Sequence, residues 1–170
     1  QRTDAWYKAR RGKLTASNFG TALGLCPWQS RQKLWKRMID PASDTFTGNV
    51  ATQWGTDNEP NGILEYTATT GNEVTATGFH VHKALGWLGG SPDGFVGDDG
   101  MIEIKCPYTR KVQTEIPLHD YAQINGLLEI TGRKWCDFVS WTPEEICIIR
   151  VQANHTAFDW LLNHTYINFF

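Results

Sequence analysis

The turn chemistry at residues 97–100, Gly-Asp-Asp-Gly, sits between Gly94-Phe95-Val96 and the run Met101-Ile102-Glu103-Ile104-Lys105. Glycine and aspartate clusters flanked by strand formers specify a β-hairpin. The second arm sets the strongest constraint on the fold. Successive side chains of a strand alternate between its faces, so Glu103 and Lys105 share one face while Ile102 and Ile104 turn to the core. A strand built only to pack carries valine, isoleucine or threonine at such positions. With the turn at 97–100, Asp93 lies across from the charged pair, and a three-residue loop or a bulge puts it on the same face.

The rest of the chain supplies helices to cover such a sheet. Asp4 is a cap for a short helix carrying Trp6, Tyr7 and Arg10, and Thr15 or Ser17 begins a second that Gly24 and Pro27 end. Ser30 caps residues 31–39, where Leu34, Trp35 and Met38 form an apolar face opposite Lys33, Lys36 and Arg37. A longer helix is expected from about Thr52 to Thr70, stopped by Gly71. Residues 72–82 and 85–90 alternate as strands and lead into the hairpin as an antiparallel meander. Residues 120–132 read as a helix ending at Gly132. Two strands at 134–142 and 144–152, joined by a proline-containing turn, and a closing helix over 156–170 complete the order. The stretch 40–50 is loop-like but too short to separate domains, so one domain over 1–170 is expected. Its class is mixed α/β, helices packed around a central sheet. Trp6, Trp35, Trp54, Trp87 and Trp141 are assigned to the core; His80 and His82 have no evident partner.

Charge is unevenly spread. Residues 1–39 carry nine Lys/Arg and one acid, residues 40–104 one Lys and ten acids. A basic arm beside an acidic middle suits a protein that grips a polyanion and holds cations at its reacting phosphate; two solvated faces of opposite sign give the same counts. Four isolated cysteines without a C-x-x-C pair argue against a disulfide scaffold or zinc site and fit a reducing compartment. No apolar run reaches the length of a membrane span, and residues 1–13 lack the apolar centre of a signal peptide. The expected location is the cytoplasm or host-cell interior, the nucleus if the source is a eukaryotic virus or host. The two Asn-His-Thr triplets therefore carry no weight as glycosylation sites.

Two carboxylates and a backbone carbonyl, Asp93, Glu103 and Ile104, make a hard-oxygen site suited to Mg²⁺ or Mn²⁺. Lys105 beside it can orient or deprotonate a water, which is the equipment of metal-assisted phosphodiester hydrolysis. An EF-hand loop counted from Asp93 fails, because its sixth position is Asp98 and its twelfth Ile104. An E-x-K pair is also found on ordinary solvated strands.

The order of motifs goes further. Ser91-Pro92-Asp93-Gly94 followed by Glu103-Ile104-Lys105 resembles the PD-(D/E)XK nuclease superfamily. Residues 6–17 are similar to the W-x-x-x-R-x-G-x-x-T-A-S motif of its lambda exonuclease or YqaJ-like viral recombinase group. Residues 54–59 are similar to that group's W-G-x-x-x-E helix, residues 121–132 to its A-Q helix, and residues 23–35 to the segment after the T-A-S helix. The resemblance runs from about residue 6 to 152. It implies a restriction-endonuclease-like core with a central mixed β-sheet flanked by helices.

By that resemblance Asp93, Glu103 and the Ile104 carbonyl bind metal, Lys105 serves the attacking water, and Glu59 supports the metal–water site. Gln123 positions lysine and water, and Arg10, Ser17 and Ser91 hold a terminal 5′-phosphate. On residues alone, Glu59 and Gln123 also read as exposed helix positions and Ser17 as a cap. Asp120 departs from the pattern, since lambda exonuclease has an aromatic residue there, which bears on the substrate channel. The implied activity is a Mg²⁺-dependent deoxyribonuclease (Mn²⁺ substituting) that degrades linear duplex DNA from the 5′ end to mononucleotides. The implied partners are duplex ends, a strand-annealing protein and copies of the chain in a ring-shaped trimer; no membrane is involved. The alternatives are an endonuclease on the same fold and a non-catalytic nucleic-acid-binding module. The cysteine cluster of the iron–sulfur CRISPR-associated exonucleases is absent.

Overall fold

Strand β6 (Gly100–Lys105) organises the molecule: its two neighbours run in opposite senses and its two faces are covered by different helices. The computed structural model describes residues 1–41, 48–163 and 167–169. Part of the expected loop at 40–50, and residues 164–166 and 170 of the expected closing helix, lie outside these. Before β6 come α1 (Asp4–Arg10), β1 (Leu14–Thr15), α2 (Phe19–Ala22), α3 (Arg31–Ile39), α4 (Val50–Thr70), β2 (Val74–Thr75), β3 (His80–Val81), β4 (Leu88–Gly90) and β5 (Gly94–Val96). After it come α5 (Leu118–Thr131), β7 (Trp135–Trp141), β8 (Ile146–Gln152) and α6 (His155–Leu161).

The main sheet has the order β2-β5-β6-β7-β8, and every pairing is antiparallel except β6 with β7. Parallel neighbours need a crossover, and α5 supplies it. The crossover lays α5 over one face of β6, where Met101 joins Phe19, Ile124, Leu127 and Phe138 in the larger core cluster. On the other face Ile102 and Ile104 pack with Tyr66, Val139 and Trp141 beneath α4. Period-two alternation therefore sorts β6 between two cores. The Glu103 face is not a solvated one: Glu103 is buried.

Local chemistry explains most element ends. Ser30 Oγ accepts from the Lys33 N–H at the start of α3. Asn49 caps α4 in a reciprocal box with Thr52, which sets the start two residues before Thr52. Gly71 and Gly132 close α4 and α5 in the left-handed region, at φ 73° and 70°. The hairpin loop is Gly97-Asp98-Asp99, three residues between the paired Val96 and Gly100.

Several expectations need correction. Thr3, not Asp4, caps α1; its side chain accepts from the Trp6 N–H and Asp4 opens the first turn. Residues 14–15 form a strand, and a 3-10 turn (Ala16–Asn18) precedes the short α2. There is no single meander. β1, β4 and β3 form a separate three-stranded sheet in which β1 runs parallel to β4. Strands of two or three residues are too short to show periodicity. Trp35 is 40% exposed, whereas Trp141 is buried. Both histidines have partners, His80 in the Thr77 hydroxyl and His82 in the backbone N–H groups of Ala84 and Leu85.

Two glycines let α2 approach α5. A Cβ on Gly126 would stand 2.1 Å from Phe19 Cε2, and one on Gly20 would stand 2.5 Å from His119 Cβ. Phe19 is fully buried and has no room to yield. Gly126→Ala should therefore destabilise the fold by about 1–3 kcal/mol through overpacking. Urea unfolding will show this as a lower midpoint at unchanged slope; an unchanged midpoint would mean that α2 does not hold this contact.

Candidate active site

The C-terminal half of β6 and the first turns of α5 enclose a polar cluster within an otherwise apolar layer. Glu103 Oε1 accepts from Lys105 Nζ at 2.9 Å and from Gln123 Nε2 at 2.6 Å. Lys105 Nζ also donates to Gln123 Oε1 at 3.2 Å, so lysine, glutamate and glutamine close a three-way ring. Gln123 is thereby fixed by both ends of its amide. Sequence reading missed a fourth member: buried Asp120, whose Oδ1 lies 3.3 Å from Lys105 Nζ. Its departure from the family pattern was the available signal.

Asp93 reaches the cluster from β5's leading edge. Gly94 pairs with Ile102, which sets Asp93 beside Glu103, and the Asp93 N–H donates to the Ile102 carbonyl. Its Oδ2 accepts from the Ile104 N–H at 2.7 Å. Asp93 itself is only partly buried.

The electrostatics are those of carboxylates held together without enough compensation. Loss of solvent, then the charges of Glu103 and Glu59, push the Asp93 carboxyl well above the usual aspartate range. Loss of solvent also raises Glu103, against the pull of Lys105. Burial alone would depress Lys105, but Glu103, Asp120 and Asp93 outweigh it and hold the ammonium firmly protonated. Burial and nearby Glu59 push the Cys106 thiol up to about 12, so it is no nucleophile.

A divalent cation fits this arrangement. Glu103 Oε2 is buried without a hydrogen-bond partner, which is costly unless another group uses it. The donors available, Asp93, Glu103 and the Ile104 carbonyl, are hard oxygens of the kind Mg²⁺ takes. Among the described residues no three or more His, Cys, Asp or Glu side chains form a metal-holding group. Two carboxylates with water filling the other positions is a usual Mg²⁺ arrangement. Glu59, on α4, accepts from Arg2 Nη2 at 3.1 Å.

A second cluster adjoins the first. Arg10 Nη2 reaches Thr15 Oγ1 at 3.4 Å and Ser17 Oγ at 3.5 Å, and its guanidinium lies 4.2 Å from the Trp6 ring centroid. Trp6 in turn donates to Ser91 Oγ at 2.8 Å. Arg10, Ser17 and Ser91 thus converge through half-buried Trp6, and Ser91 stands two residues before Asp93. Burial and the charge of Arg37 lower the Arg10 pKa, which marks a cation short of counter-charge.

A five-stranded mixed sheet between helices, with Asp93 and Glu103-x-Lys105 at one end, defines a PD-(D/E)XK-type nuclease fold. The model of the YqaJ-like viral recombinase domain matches residues 5–134, and the chain belongs to that family. LHK-Exo in complex with dAMP aligns over 95% of this chain and 88% of its own, with 31% identity and a TM-score of 0.83. A second structure of this alkaline exonuclease, from Laribacter hongkongensis, gives 32% identity and 0.80 over the same shares. A phage-related exonuclease from Haemophilus somnus 129PT shares the fold at 16% identity, with a TM-score of 0.71 over 88% of each chain. Protein D345L of African swine fever virus (strain Badajoz 1971 Vero-adapted) is 26% identical over 77% of this chain and 46% of its own length. The chain spans about half the length of the curated relatives it matches.

The raised carboxyls predict a pH signature. A carboxyl whose pKa rises on folding holds its proton more tightly in the native state. Stability therefore falls as pH climbs from the unfolded carboxylate range through the raised value. Asp93→Asn keeps the acceptor for the Ile104 N–H and removes the repulsion. In metal-free buffer the variant should melt above wild type at about pH 8, and the difference should shrink toward about pH 4. Mg²⁺ should raise the wild-type Tm more than the variant's. A variant less stable than wild type across this range would contradict the description of Asp93 as a carboxyl destabilised by loss of solvent and by its acidic neighbours.

Proposed function

We propose that this domain is a Mg²⁺-dependent exodeoxyribonuclease that hydrolyses linear duplex DNA from a 5′-phosphorylated end and releases 5′-mononucleotides. One observation carries the reading: the Ser91-Pro92-Asp93 link ties the Arg10–Ser17–Ser91 cluster directly to the carboxylate site. A terminal phosphate carries more charge than an internal diester. A guanidinium beside the Thr15 and Ser17 hydroxyls, linked through Trp6 to Ser91 two residues before Asp93, favours an end over the interior of a duplex. Membership of the YqaJ-like family and the likeness to the alkaline exonuclease support the same reaction class.

Asp93, Glu103 and the Ile104 carbonyl would hold the cation, with Glu59 beside them. When bound, Mg²⁺ supplies Lewis acidity at the scissile phosphate and lowers the pKa of water. Lys105, kept as an ammonium, orients the attacking water and meets charge developing on the phosphate. Gln123 holds that ammonium and Glu103 in fixed relation, and Asp120 holds it from the other side. Arg10, Ser17 and Ser91 anchor the 5′-phosphate so that the first internucleotide bond meets the site. The single strand left behind suits a strand-annealing partner. Homo-oligomerisation and a place in the host-cell interior belong to the same proposal; no helix among the described residues is long and apolar enough to cross a membrane.

The test compares 5′-phosphorylated and 5′-hydroxyl linear duplexes with covalently closed circles, at fixed salt. Wild type with Mg²⁺ or Mn²⁺ should degrade the phosphorylated duplex fastest and spare circles, whereas Ca²⁺ should permit binding with little cleavage. Lys105→Ala, compared with wild type at equal folded fraction, should lower turnover by at least about 10²-fold. Arg10→Ala should cut both linear duplexes at similar rates. Nicked circles would favour an endonuclease on the same fold, and DNA binding without cleavage in any metal would favour a binding module.

A further inference from the structure

The most exposed large apolar side chain described is Trp28, 77% exposed, in the loop between α2 and α3. A singly exposed indole is ordinary in itself; the surroundings of Trp28 are what set it apart. Trp28 meets the His119 ring edge-to-face, with centroids 5.2 Å apart and planes at 84°. His119 is itself fixed, because its Cβ and backbone press against Gly20. Its Nε2 lies 3.5 Å from Asp120 Oδ2, and Asp120 Oδ1 lies 3.3 Å from Lys105 Nζ. A short chain of contacts thus runs from the exposed indole to the lysine of the active site.

The other flank of Trp28 is basic. Helix α3 begins three residues later and carries Arg31, Lys33, Lys36 and Arg37 with no acidic residue. An aromatic face between a cationic helix and a phosphodiester site matches a polyanion that also presents flat apolar rings. A single edge-to-face contact leaves an indole face open for such a ring.

We propose that Trp28, braced by His119, is a stacking platform for a nucleobase of the DNA strand in the active site, and so a residue that positions the substrate. This rests on the nuclease reading above. Stacking is tolerant of base identity because every base has a π face. The platform therefore fixes where the strand lies rather than which sequence is cut. Holding the base holds the backbone that follows it, and with it the phosphate presented to Lys105.

The test uses 5′-phosphorylated duplexes carrying 2-aminopurine at successive positions from the end, bound in Ca²⁺ and cut in Mg²⁺. Wild type should quench the fluorophore at one position near the end. Trp28→Ala should lose that quenching and weaken DNA binding by about 5- to 150-fold, the range expected for one stacked base. Its kcat at saturating DNA should fall far less than its kcat/KM, and Trp28→Phe should restore most of both. Quenching and KM unchanged in Trp28→Ala, with cleavage intact, would overturn the platform and leave the nuclease reading standing. The same follows if Trp28→Ala alters only the oligomeric state, since Trp28 would then pack against another copy. Wild type that neither binds nor cuts the duplexes would overturn the nuclease reading itself, and the platform with it.

Discussion

A carboxylate buried in a protein layer is tolerated only when partners replace its water, and the structure is arranged around that requirement at Glu103. Its Oε1 is satisfied twice, by Lys105 and Gln123, while Oε2 has no partner among the described residues. Two demands follow for the fold. The parallel pairing of β6 with β7 makes a crossover necessary, and that crossover brings α5 over Glu103. The close approach of α2, permitted by Gly20 and Gly126, presses the start of α5 into place. The polar ring is thus built by the packing that surrounds it, and on the proposed reading Oε2 and Asp93 are the oxygens that would take a hard cation.

The two clusters of the site come from distant parts of the chain. Arg10 and Ser17 lie on the N-terminal segment, and Ser91 on the approach to the hairpin; Trp6 joins them by donating to Ser91 while its ring carries the Arg10 guanidinium. A neighbouring contact reinforces the closure, since Gln1 Nε2 donates to the Pro92 carbonyl. Arg2 adds charge to the same region by pairing with Glu59. On the proposed reading, cations for the substrate's phosphates and carboxylates for the metal must lie close together without neutralising each other. Arg10 reaches the Ser91-Pro92-Asp93 stretch through Trp6, so on that reading its guanidinium serves the phosphate side of the site.

Much of this arrangement is legible in the sequence because its signals are local. Period two places Glu103 and Lys105 on one face, and the Gly97-Asp98-Asp99 loop supplies the three residues that bring Asp93 alongside. Ser30, Gly71 and Gly132 mark helix ends through capping chemistry that short-range reading captures. The misses are tertiary. Asp120 sits in the first turn of a helix, and nothing nearby in sequence foretells that this turn faces Lys105. Two-residue strands such as β1 carry no periodicity, so its parallel pairing with β4, and the second sheet, were hidden. Trp35 lies on an apolar helix face by spacing, yet that face is wider than the surface α3 covers, with Leu34 taking the buried place.

On the proposed reading, one short stretch of chain joins a terminal-phosphate pocket to a two-carboxylate cation site. Anomalous diffraction from crystals soaked in Mn²⁺ with a 5′-phosphorylated oligonucleotide tests both halves at once. The expected result is a Mn²⁺ peak at bonding distance from Asp93, Glu103 Oε2 and the Ile104 carbonyl, with the terminal phosphate on Arg10, Ser17 and Ser91. A Mn²⁺ peak away from Glu103 Oε2, or a terminal phosphate bound elsewhere while Arg10 faces empty solvent, would contradict it.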